Sequence, residues 1–164
     1  DLLKVPVGGR FVADVTEEIA VEKVRRVIRG HPRVFDALAD FLKVPDHRIT
    51  YVPGNHDVEI AFPRVQLLMR ARLDALDAPD RLVFHIDQET LRLPRGVVVA
   101  HGHNFEAMNR VEAGRSIVPG PDGTPIARLE DVVGGIDERA AAHHGCSVIR
   151  SISLRRASWL GVGL

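Results

Sequence analysis

Apolar residues recur at helical spacing three times in the first half of the chain. Ile19, Ala20, Val24, Val27 and Ile28 stand three and four residues apart, the period of one helix face. Asp14 and Thr16 precede them as N-caps, and Asp14 with Glu17 has the spacing of a capping box. Gly30 and Pro32 close that run. A second helix is predicted from Val34, Phe35, Leu38, Phe41 and Leu42, broken by Pro45 and Asp46. A third starts at Pro63 and carries Val65, Leu68, Leu73 and Leu76.

Between the helices lie short runs of β-forming residues. Ile49 to Val52 reads as a buried strand that runs into Pro53-Gly54. Leu82 to Ile86 and Thr90 to Leu93 read as two further strands, and Arg95-Gly96 as a turn. Val97 to Ala100 is a continuous apolar run, which predicts a strand covered on both faces. Residues 114 to 135 are rich in Gly, Pro and Asp and read as a long loop. Residues 136 to 160 read as one or two helices. Helices alternating with short buried strands predict an α/β class, with residues 1–164 forming a single domain.

Composition narrows the picture little. The 164 residues suffice for one domain with a real core. Lys+Arg and Asp+Glu both total 22, so the formal charge is zero and no nucleic-acid partner is indicated. The three arginines at 150, 155 and 156 are a weak patch. Cys146 is the only cysteine, which leaves no internal disulfide and makes a reducing, cytoplasmic setting the default. No apolar stretch approaches the ~20 residues of a membrane span. Peripheral membrane contact and oligomeric state are left open. The chain opens at Asp1 without methionine, so residues upstream are expected.

Two segments carry candidate chemistry. In Tyr51-Val52-Pro53-Gly54-Asn55-His56-Asp57 a strand delivers Gly-Asn-His-Asp into a loop at its carboxyl end, the edge that ligands favour in an open α/β sheet. Gly54 allows close backbone approach to a substrate, and Asn55 offers a neutral carbonyl oxygen to a metal. His56 can hydrogen-bond a phosphoryl oxygen or donate a proton. The bland alternative is a self-bonded Asx turn. In Val97 to His103 an apolar strand again ends in a histidine-bearing loop, where His101 and His103 can reach one site from one turn. Alone, these could be two surface histidines. His31, His47, His85, His143 and His144 read as capping or surface residues, Cys146 as a structural thiol, and Trp159 as a packing anchor.

The segment Gly54-Asn55-His56-Asp57 resembles the Gly-Asn-His-Asp/Glu block of the calcineurin-like metallophosphoesterases. Val97 to His103 is similar to their next block, a hydrophobic strand ending in a metal-binding histidine. In motif style the nearest branch is that of the UDP-2,3-diacylglucosamine hydrolases. The resemblance covers residues 1 to 110. It implies a sandwich of two mixed sheets flanked by helices, and two divalent ions (Mn, Fe, Zn or Co) that activate a water to attack phosphorus. It makes Asn55, His101 and, at a more variable position, His103 metal ligands. It makes His56 the group that contacts the phosphoryl and assists the leaving oxygen, and Asp57 the carboxylate that orients it. Gly54 and His56 would contact a small phosphorylated substrate.

The family's Asp-x-His, Gly-Asp-x-x-Asp and Gly-His-x-His blocks are not found in full. Asp1 fits the last aspartate of the second. The domain is therefore expected to be incomplete at both ends, with residues 112–160 forming a lid or insertion. The parent protein is expected to be the hydrolase, and this chain alone a poor catalyst. The competing expectations are a degenerate binding or scaffold module of the same fold, and an unrelated α/β binding domain in which Asn55 and His101 lie apart.

Overall fold

The computed structural model describes residues 2–86, 90–105 and 115–128, all within one unit spanning 1–132. Among the described residues the architecture is mixed α/β: three helices, three small sheets and no barrel. The predicted helices at 136–160, together with Asp1, His143, His144, Cys146, Trp159 and the arginines at 150–156, lie outside the described residues. So does the expected lid, except for 115–128.

Helix α1 spans Glu17–Gly30. Thr16, not Asp14, is its N-cap, and its hydroxyl accepts from the Ile19 N–H at 3.4 Å. Asp14 belongs instead to a strand, β1 (Asp14–Thr16), whose middle residue Val15 is 1% exposed. The strand was hidden because Thr16 both ends β1 and caps α1. Helix α2 (Pro32–Lys43) has proline in its first turn, where the missing N–H costs nothing. It buries Phe35, Ala39 and Leu42, while Val34 and Phe41 of the predicted face are exposed. Helix α3 (Pro63–Arg72) buries Val65 and Met69, and Leu73 just beyond it, at intervals of one turn. Asp74, at φ 55°, turns the chain away, so Leu76 falls past the helix and is exposed.

Strands β2 (Ile49–Tyr51) and β3 (Leu82–Phe84) pair in parallel across α3, Ile49 facing Leu82. Strands β4 (Leu91–Arg92) and β5 (Val98–Val99) form an antiparallel ribbon, closed by Leu93 N–H bonding Val97 O at 2.8 Å. Arg95 and Gly96 take positive φ at its tip. The expected cover on both faces of the Val97 run is not observed: Val97, Val98 and Val99 are all exposed. Their only sheet neighbour among the described residues is β4, and a two-stranded ribbon has no second layer of its own.

The expected long loop at 114–135 is corrected in part. Strands β6 (Ile117–Pro119) and β7 (Pro125–Arg128) form a hairpin, and β7 also pairs with β1, placing β7 in the centre. The Gly and Pro content marks the hairpin's turn. There the Thr124 N–H donates to Asp122 Oδ1 at 2.9 Å and Gly123 takes φ 83°. Asp14 faces Arg128 across the strands, their side chains 3.1 Å apart.

α1 packs against α3, β1 and β7. A short 3-10 helix, Val58–Ala61, touches α1, α3, β6 and β7, with Val58, Glu59 and Ile60 buried. The segment directly after Asp57 is thus set in the core, which fixes where the preceding turn can go. No helix among the described residues is long and apolar enough to cross a membrane.

Candidate functional site

The turn at 54–57 is closed twice. Asp57 N–H donates to Gly54 O at 3.1 Å, and Gly54 N–H donates back to Asp57 Oδ2 at 3.2 Å. Pro53, Gly54 and Asp57 are buried, and Asn55 and His56 are half-buried at the tip. Asn55 and His56 therefore sit between two fixed ends, which limits the freedom of their side chains.

Asp57 has a wider part than the orienting role expected of it. Its Oδ1 accepts from the Leu3 N–H at 2.7 Å, and it also accepts from the Tyr51 hydroxyl. Burial, then the charge of Asp57 and this hydrogen bond, push the Tyr51 phenol far above its usual range. One carboxylate thus ties together the end of β2, the turn and the segment around Leu3. Its negative charge also reaches both His56 and His101, favouring their protonated forms.

The second turn carries His101, Gly102 and His103. Gly102 has φ 93°, a conformation that favours glycine, and Phe105 N–H bonds Gly102 O at 3.2 Å. The reversal brings His101 Nδ1 to 3.1 Å from His103 Nδ1, with ring centroids 5.2 Å apart. In this contact one Nδ1 carries the hydrogen and the other accepts it. His101 also lies close enough to His56 for its charge to act there. Asn55, His56, Asp57, His101 and His103 therefore belong to one neighbourhood, drawn from two turns. His47 bonds Phe41 O through Nδ1 at 3.1 Å, and His85 contacts Thr90 O through Nε2 at 3.0 Å.

Burial holds both His56 and His101 below the ordinary imidazole value. For His56 the Lys4 ammonium adds to this, and Asp57 opposes it. Both rings are therefore neutral at pH 7. Because the folded values are depressed, the unfolded chain binds more protons as pH falls below about 6.5, so this contribution to stability is lost in that window. In an NMR titration the C–H shift of the half-buried His56 is expected to move with a midpoint below that value; a midpoint at or above it would contradict its burial.

Neutral imidazoles and a carboxamide oxygen are suitable donors for a divalent ion. His101 and His103 meet through their Nδ1 atoms at 3.1 Å, so an ion bound by both Nδ1 atoms would have to replace the hydrogen between them. The number of donors does not fit. Among the described residues no group of three or more His, Cys, Asp or Glu side chains is placed to hold a metal ion. Searches against family models, curated proteins and solved structures give no match to the chain.

One pair of residues near this site was not signalled by the sequence. Lys23, on the inner face of α1, is 7% exposed and forms an ion pair with Glu59, which is 1% exposed. Burial raises the Glu59 carboxyl above its usual range, and the Lys23 ammonium pulls it back. The other carboxylate oxygen, Oε2, meets no hydrogen-bond partner among the described residues. Lysine at an inner helix position normally extends to water, so its spacing alone gives no warning.

Proposed function

We propose that this chain carries part of the site of a metal-dependent phosphoester hydrolase of the calcineurin-like kind, folded as part of that family's two-sheet sandwich. The meeting of the 54–57 and 101–103 turns supports this reading: two strand-end loops with the motif residues share one neighbourhood. In it His56, neutral at pH 7, donates an N–H to a phosphoryl oxygen. Asn55, His101 and His103 are donors of the right chemistry, too few to hold an ion alone. Two divalent ions (Mn, Fe, Zn or Co) would be the cofactors, with Asn55, His101 and His103 among their donors, and would supply an activated water. The substrate is a small phosphorylated molecule, and a single cysteine, Cys146, is compatible with a reducing, cytoplasmic setting.

The test is metal content per chain beside hydrolysis of an aryl phosphate ester with added Mn²⁺. It is run on this chain and on the longest product of its gene. Metal and turnover in the longer product, with little in this chain, is the expected result. No metal and no turnover in either would sink the reading in favour of a binding module.

A further inference from the structure

A third segment reaches the two turns. Leu3 is fully buried, and its N–H is held by Asp57 Oδ1 at 2.7 Å. Val5 N–H then bonds Leu3 O at 2.7 Å, a three-residue turn with Lys4 at its centre. Leu3 points into the core and Lys4 is exposed. The residue after Leu3 is thus presented beside the turn that carries His56, on a backbone fixed from both sides.

The surroundings determine what such a cation would meet. The Asp57 carboxylate is buried and engaged by Leu3, Gly54 and Tyr51. Lys4 and His56 bring N–H donors and one positive charge to the same turn. We propose that Lys4 is a phosphate-binding residue of this site, selecting the dianion of a terminal phosphomonoester over the monoanion of a phosphodiester. The proposal rests on the hydrolase reading and deepens it by naming the substrate class. A monoester phosphate carries −1.5 to −2 charges at pH 7, a diester about −1, and an ammonium attracts the former more strongly. Charge-assisted hydrogen bonds of this kind also exceed neutral ones in strength.

The experiment titrates this chain with inorganic phosphate, phenyl phosphate and diphenyl phosphate at low salt, followed by ³¹P NMR. Wild type, Lys4→Met and Lys4→Arg are compared, with a urea melt to check folding. Lys4→Met is expected to weaken phosphate and phenyl phosphate about tenfold and diphenyl phosphate about two- to threefold, with Lys4→Arg within about threefold of wild type. Unchanged phosphate affinity in Lys4→Met, or no phosphate binding by wild type at millimolar concentration, overturns the proposal. Equal losses for the two esters overturn the dianion assignment. Turnover of both esters by the longest gene product is measured in parallel. If that protein hydrolyses nothing while the Lys4→Met loss of phosphate binding persists, the hydrolase reading fails and the Lys4 site stands.

Discussion

Replacing Glu59 with leucine while keeping Lys23 lowers the unfolding free energy by about 3–5 kcal/mol, because an ammonium is left buried without its partner. Lys23→Met has a similar effect, stranding the Glu59 carboxylate where water cannot reach it. Both side chains are almost wholly covered, so little solvent screening softens either loss. The double variant Lys23→Met, Glu59→Leu behaves differently. Two apolar side chains of similar volume replace a pair whose desolvation roughly cancels its attraction, so stability returns to within about 1 kcal/mol of wild type or exceeds it. Glu59 Oε2 strengthens this expectation, since the ion pair leaves that oxygen without a partner among the described residues. Urea denaturation of the four proteins completes the cycle. Single variants as stable as wild type would show that the pair is not buried in solution.

Removing the His56 ring is the largest expected effect on turnover. His56→Ala in the longest gene product reduces kcat about 10²–10⁴-fold, the range for a positioned proton donor. Metal content is unchanged, because His56 is assigned to the phosphoryl group rather than to the ions. His101→Ala gives the opposite split and loses metal together with activity. The fold tolerates His56→Ala, since the turn is held by the backbone of Gly54 and Asp57 and by the Asp57 carboxylate. Steady-state kinetics and metal analysis on the same preparations decide the matter. Activity within tenfold of wild type would remove His56 from the chemistry.

The helices were legible because their signal is local and repeated: Ala20, Val24 and Val27 in α1, Val65 in α3 and Leu73 just beyond it. Each candidate motif was legible for the same reason, as a β-rich run ending in polar residues. That the motifs share a neighbourhood is a product of tertiary packing, which no local period encodes. The β6–β7 hairpin escaped notice because Ile117-Val118 and Ile126-Ala127 are too short to establish alternation, while the Gly and Pro between them dominate the composition. Lys23 and Glu59 lie 36 positions apart, so neither predicts the burial of the other. The approach of Lys4 depends on the Leu3–Asp57 bond, again a distant pairing.

These long separations bear on the order of assembly. Leu3 and Asp57 bond across 54 residues, and Asp14 and Arg128 across 114. Each of α1, α2 and α3 forms through its own local hydrogen bonds and does so quickly, whereas each distant pairing loses chain entropy before any contact rewards it. During synthesis β1 emerges without its sheet partner and waits on the order of ten seconds for β7 to be made. For that interval Val15 and the edge of β1 are uncovered, which makes the newborn chain, rather than the finished fold, the state most exposed to wrong pairing.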